Sequence, residues 1–323
     1  MANRKIKFIE VKSEIGAGTR GASLGPDAIK IAALDYGSDV FRRTRTVEVP
    51  TENQLLFENA GGKYAKYIKG LQRVCERLGK ELRKTIDAGE FPIILAGDHS
   101  TAAGTIAGLR DTLNARFGAD NVRLGVIWID AHADIHSPYT TPSGNMHGMP
   151  LAISLGVDNT ENIVNHPDEE TIRSWEEMKT LITGQSPKIR FSDLVYIGMR
   201  DFEPEERSVV DKYRIKWFKT GHVKQFGVER IARDTLAYLR ECTHIYISFD
   251  VDSMDSSISK GTGTPVRNGI TEKEAGSLLV RLIQNEKVCC FEVCEVNPTL
   301  DKENLMAENT FEILTKVVAQ LTT

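Results

Sequence analysis

The 323-residue chain has no excess of basic charge: 41 Lys and Arg against 45 Asp and Glu leave a formal net charge of −4. No stretch clusters Lys or Arg with stacking aromatics, which argues against nucleic acid or an anionic membrane as the main partner. Apolar runs are short, far below the roughly 20 residues needed to cross a bilayer. Met1 to Phe8 carries charges without an apolar stretch, unlike a secretory signal. Cysteines are few: Cys75, Cys242, Cys289, Cys290 and Cys294 are an odd set without a Cys-x-x-Cys pair. They read as reduced thiols of a cytoplasmic protein. Cys289, Cys290 and Cys294 flank an apolar strand and lack the fourth ligand of a soft-metal site. No Pro/Gly/Ser linker and no 20- to 50-residue repeat divides the chain, so 1–323 reads as one domain.

What is present is an alternation of short β-branched runs with longer segments of helical period. That is the pattern of an α/β protein: a three-layer αβα sandwich around a mostly parallel central sheet. Expected strands are Lys5 to Val11, Pro92 to Ala96, Leu124 to Ile129, Leu194 to Gly198, Arg214 to Phe218, Thr243 to Phe249 and Val288 to Val296. Expected helices are Pro26 to Ala33, Lys63 to Ala88, Ser100 to Phe117, Val228 to Glu241 and Glu272 to Gln284. The polar stretch 157–192, with a helix start at His166-Pro167-Asp168-Glu169-Glu170, reads as a surface excursion.

Several expected strands end in metal-type side chains: Gly97-Asp98-His99-Ser100, Asp130-Ala131-His132-Ala133-Asp134, Asp250-Val251-Asp252 and Glu295-Val296-Asn297. In open α/β sheets ligands bind beyond the carboxyl ends of the strands, where such clusters can converge. In an extended segment, alternate residues point the same way, so Asp130, His132 and Asp134 would share a face, as would Asp250 and Asp252. Together with His99 they carry more negative charge than can be buried without cations. Carboxylate and imidazole without thiolate suit Mn, Fe, Co or Zn, and the oxygen-rich balance leans toward Mn. Two such ions about 3.5 to 4 Å apart can hold a bridging hydroxide. Taken singly, Asp98 reads as a helix N-cap, His99 as a satisfied core histidine and Asp-x-Asp as a solvated turn. The joint pattern points to metal.

At these residues the chain resembles the ureohydrolase superfamily over nearly its whole length, from Gly18-Thr19-Arg20-Gly21 to Glu295-Val296-Asn297-Pro298. Thr141-Pro142-Ser143-Gly144-Asn145-Met146-His147-Gly148 is similar to the loop of its arginase branch. The resemblance implies one ion on His99, Asp130, Asp134 and Asp250, and a second on Asp130, His132, Asp250 and Asp252, with Mn2+ as the expected metal. It implies that Ser143 and Asn145 hold an amino-acid carboxylate, that His147 shuttles protons, and that Glu295 anchors a guanidinium by paired hydrogen bonds. Thr264 would lie beside that end of the substrate or serve only as a turn residue. Glu203 falls where the branch has an Asp near the substrate amine, or is an ordinary surface acid. His136 replaces an Asn that helps bind the substrate carboxylate, and Ser256 stands where the family usually has Pro.

The implied reaction is hydrolysis of arginine to urea and ornithine by a metal-bridging hydroxide, with Asp134 passing a proton to the leaving nitrogen. The implied assembly is a homo-oligomer, a trimer or hexamer. His136 and Glu203 leave open another guanidino substrate, such as agmatine or a guanidino acid. A catalytically silent metal- or amino-acid-binding homologue would be expected to lack ligands, and every one is present. A two-metal phosphoesterase would want a Gly-rich phosphate cradle or an Arg clamp, and neither is found.

Overall fold

The computed structural model describes residues 3–322; Met1, Ala2 and Thr323, the ends of the stretch read as one domain, lie outside it. Eight strands form one parallel sheet: β1 Ile6–Val11, β2 Arg45–Glu48, β3 Phe91–Ala96, β4 Leu124–Ile129, β5 Leu194–Ile197, β6 Lys216–Phe218, β7 His244–Asp250 and β8 Val288–Cys294. Their order is β2-β1-β3-β8-β7-β4-β5-β6. Every strand expected from the sequence is present. The unexpected β2 is a mostly exposed edge strand, without the apolar alternation that marks a half-buried one.

The helices are α1 Gly25–Asp35, α2 Val40–Arg43, α3 Ile68–Asp87, α4 Ala102–Phe117, α5 Pro150–Leu155, α6 Glu169–Thr180, α7 Pro204–Lys212, α8 Thr220–Phe226, α9 Val228–Tyr238, α10 Glu272–Ile283 and α11 Leu305–Thr322. The pleat divides the core in two. Val126 and Trp128 of β4 face the cluster under α3, α4 and α6, whereas Ile127 and Ile129 face the cluster under α1, α9, α10 and α11. This is the three-layer αβα arrangement. α3 begins at Ile68 and not at Lys63, because Tyr67 takes a left-handed φ of 56° that helical backbone does not tolerate.

The stretch 157–192 carries α6, started as expected by Asp168, whose carboxylate accepts the Thr171 N–H at 2.7 Å. Trp175 and Met178 of α6 are buried. All five cysteines are free, and among the described residues no helix is long and apolar enough to cross a membrane.

α4 continues directly from the 3-10 turn His99–Thr101, so its seating on α3 helps to fix His99. The two helices pack through glycines: a Cβ on Gly108 would stand 2.7 Å from Gly79 Cα, a backbone atom. Gly108→Ala gains about 1 kcal/mol of helix propensity but overpacks by about 1–3 kcal/mol. Net loss of stability, up to about 2 kcal/mol, is expected in denaturant titration; a higher midpoint would contradict this close approach.

Candidate metal centre

β3, β8, β7 and β4 are consecutive in the sheet, and their carboxyl ends deliver His99, Glu295, Asp250 and Asp130 to one place. His99 stands in a 3-10 turn ahead of α4. The cap expected at Asp98 is present: its carboxylate accepts the N–H groups of Ser100 at 2.8 Å and Gly16 at 2.9 Å. The His99 ring stacks on Trp128, with centroids 4.0 Å apart and planes 6° apart, and its Nε2 lies 2.7 Å from Ser248 Oγ. These contacts aim Nδ1 at the carboxylates.

Three carboxylate oxygens surround that nitrogen: Asp130 Oδ2 at 3.1 Å, Asp134 Oδ2 at 3.0 Å and Asp250 Oδ2 at 3.1 Å. His99 Nδ1 and Asp130 Oδ2 are nevertheless buried without a hydrogen-bond partner. An octahedral cation with bonds of about 2.1 Å sets neighbouring donors about 3.0 Å apart. The spacing and the orphaned atoms therefore fit a cation held among them. A second donor group shares Asp130: His132 Nδ1 lies 2.9 Å from Asp252 Oδ2 and 3.5 Å from Asp130 Oδ1.

The convergence does not come from the pleat, as the alternate spacing suggests. After Ile129 the chain leaves the sheet, and Asp130 Oδ1 accepts the His132 N–H at 2.7 Å in a tight turn. Asp134 then adopts a left-handed φ of 49°. Asp250 closes β7, and Asp252 sits in the next turn with its N–H donating to Asp250 Oδ1 at 2.8 Å. Glu295 is left-handed too, at φ 65°. Such conformations cost about 1–3 kcal/mol each and concentrate at functional sites.

Carboxylates packed this closely repel. Burial and then the Asp130 charge push Asp134 up to about 6. Burial, with Asp252 and Asp130 beside it, raises Asp250 well above the carboxylate range. Both shifts mark a site built for positive charge.

A cleft of about 470 Å³ opens at the donors and is lined by every candidate metal-, substrate-binding and catalytic residue from the sequence except the buried Asp130. In it, His147 Nδ1 is 3.1 Å from Glu295 Oε1, which also accepts the His99 N–H at 2.9 Å. Burial disfavours charge on His147, but the hydrogen bond and charge of Glu295 outweigh it and raise the imidazole to about 9. Thr264 donates to Asp252 Oδ2 at 3.1 Å. Ser143 Oγ accepts the Asn145 N–H at 3.2 Å, and Lys66 donates to Asn145 Oδ1 at 3.1 Å.

At the far end, His136 bonds Glu203 through Nε2 at 3.2 Å and Thr140 through Nδ1 at 3.0 Å. The hydrogen bond from His136 holds Glu203 down to about 2. Glu206, not foreseen from the sequence, is buried there; burial lifts it to about 8 against the opposing charge of His136. Its position three residues after Glu203 at the start of α7 is a capping spacing, and its carboxylate accepts the Glu203 N–H at 3.1 Å. Arg200 was also not foreseen. Its guanidinium donates to the carbonyls of Gly198, Asp252, Ser253, Met254, Val266 and Arg267, tying the turn that carries Asp252 to the end of β5.

The Arginase family matches residues 4–323. The arginase of Bacillus caldovelox is 33% identical over 309 residues, covering 94% of this chain and 94% of that protein. Among solved structures, the arginase of Bacillus subtilis superposes with a TM-score of 0.80 at 30% identity over 98% of both chains. The Entamoeba histolytica arginase in complex with L-ornithine gives 0.80 at 25% identity, covering 98% of this chain and 99% of that one.

Adding a divalent cation to chelator-stripped protein should raise its melting temperature. At a hundredfold excess over the dissociation constant the gain is about 2.7 kcal/mol per site. An unchanged melting curve would contradict the fit.

Proposed function

The chain belongs to the arginase family and is a hydrolase of carbon–nitrogen bonds in linear amidines; on that premise we propose that it converts L-arginine and water to L-ornithine and urea, using two divalent cations. The observation that carries this reading is the meeting, in one cleft, of the His99–carboxylate cluster with the loop bearing Ser143, Asn145 and His147. The L-ornithine bound by the Entamoeba histolytica relative supports the amino-acid side of it.

His99, Asp130, Asp134 and Asp250 would hold one cation, and Asp130, His132, Asp250 and Asp252 would hold the other. The oxygen-rich set suits Mn2+, and Co, Fe and Zn are the other ions it accepts. Bound there, the cations supply positive charge against the carboxylates and make hydroxide available near neutral pH. Glu295 receives the guanidinium through paired hydrogen bonds, a cation taking the place of the His147 imidazolium that faces it. Ser143 and Asn145 hold the α-carboxylate, while His136 and Glu203 border the α-amine. Thr264 steadies Asp252 at the guanidinium end. Asp134 takes the proton of the attacking water and passes it to the leaving nitrogen as the carbon–nitrogen bond breaks. His147, within the same cleft, supplies the further proton that the departing amine needs. The same reading takes 1–323 as one catalytic unit, working as a trimer or hexamer in the cytoplasm.

One observation favours a second substrate, agmatine. Both nitrogens of His136 are engaged by Glu203 and Thr140, and Glu203 and Glu206 add acidity where an amino acid would place its charged end. Comparing kcat/KM for arginine, agmatine and guanidinobutyrate separates the two; arginine is expected to lead.

Urea release from arginine should require divalent cation and rise on adding Mn2+. Asp130→Ala should abolish bound metal and turnover together, and full activity in that variant would sink the assignment. His147→Ala should lower kcat by about 10²–10⁴-fold with metal content intact; an unchanged kcat would reject its proton role.

A further inference from the structure

Cys294 is the last residue of β8 and is fully buried. Counted along the sequence, it belongs with Cys289 and Cys290, and three thiols on one strand make no ligand set. In the fold, its neighbours come from other strands. Its Sγ lies 3.7 Å from Asp250 Oδ2, and one donor atom each of His99, Asp250 and Cys294 fall within 4.8 Å of one another.

A second observation comes from His99, shared between this trio and the His99–Asp130–Asp134 group: its Nδ1, on a residue 1% exposed, is buried without a hydrogen-bond partner. The left-handed backbone at Glu295 turns that carboxylate into the cleft, while Cys294, the last residue of β8, stays beneath it in the core. A cysteine kept only for packing behaves as a small hydrophobe among apolar groups. Cys294 belongs to the apolar cluster but also has a carboxylate and an imidazole beside it, with the Phe249 carbonyl at 3.8 Å.

Resting on the two-cation reading above, we propose that Cys294 is a sulfur donor to the cation on the His99 side, and that this position therefore favours cobalt, iron or zinc over manganese. On binding, the Cys294 S–H bond breaks, its proton leaves to solvent, and the sulfur electron pair goes to the cation. Sulfur is a soft donor, and manganese stands lowest among the divalent first-row ions for any given donor set. Adding sulfur to the carboxylates and imidazole widens that gap at one of the two positions only. The other position, with His132, Asp130 and Asp252, keeps its oxygen-rich character.

Cobalt makes the idea visible, because a sulfur-to-cobalt charge-transfer band appears in the near ultraviolet only when a thiolate is bound. The full-length protein, Cys294→Ser and Cys294→Ala are stripped with chelator and reloaded with Co2+, with bound cobalt counted by elemental analysis. The expected result is two cobalt ions per chain in all three proteins, with the band in the parent and in neither variant. In competition, both variants should shift toward manganese by about tenfold or more. Cys75, Cys242, Cys289 and Cys290 remain in every sample, so loss of the band is assigned to one thiol. Two bound cobalt ions without the band in the parent, or a band that persists in the variants, overturns the proposal and leaves the two-cation reading intact. A parent that binds no cation overturns both. The parent spectrum stands on its own even if a variant folds poorly.

Discussion

Four aspartates are buried around two imidazoles, and the charge they bring together governs how the rest of the molecule is built. Two charges about 4 Å apart repel by about 4 kcal/mol even at an effective dielectric of 20, and Asp130, Asp250 and Asp252 are each at most 3% exposed. Nothing in the apolar layers on either side offsets that repulsion. Cations do, and the orphaned atoms His99 Nδ1 and Asp130 Oδ2 mark where one belongs.

The scaffold is arranged to hold this repulsive group still. The four strands that end in the cluster are adjacent and central, covered by helices on both faces. Trp128 and Ser248 fix one imidazole. Arg200 spends its whole guanidinium on backbone carbonyls around Asp252, a planar fork that lysine would not reproduce. The left-handed Asp134 and Glu295 complete the aim at some cost in backbone energy. The amino-acid end of the cleft is looser in its logic. There His136, Glu203 and Glu206 satisfy one another, and substrate choice depends on how that set reorganises around a charged end.

Much of this was legible in the sequence because it rests on local periodicity. β4, with its apolar run ending in Asp130-Ala131-His132-Ala133-Asp134, is bounded in the structure as the pattern predicts. The central donor candidates were legible for a related reason: they stand at or just beyond the carboxyl ends of apolar strands. α11 was not identified, although Met306, Phe311, Leu314 and Val317 bury a face against α1 and α10. Glu206 and Cys294 escaped for a different reason. Their meaning is set by side chains that arrive from distant strands and turns, and no spacing along the chain encodes that. The direction of Asp134 likewise depends on one backbone angle, which alternation arguments do not reach.

The proposed site requires two cations that share Asp130 at the carboxyl edge of β4 and β7. The most direct measurement is the anomalous scattering of a crystal grown with manganese or cobalt. The account predicts two peaks about 3.5 to 4 Å apart, one between His99 and Asp134 and one between His132 and Asp252. A single peak, or strong scattering only beside His136, Glu203 and Glu206, would contradict it.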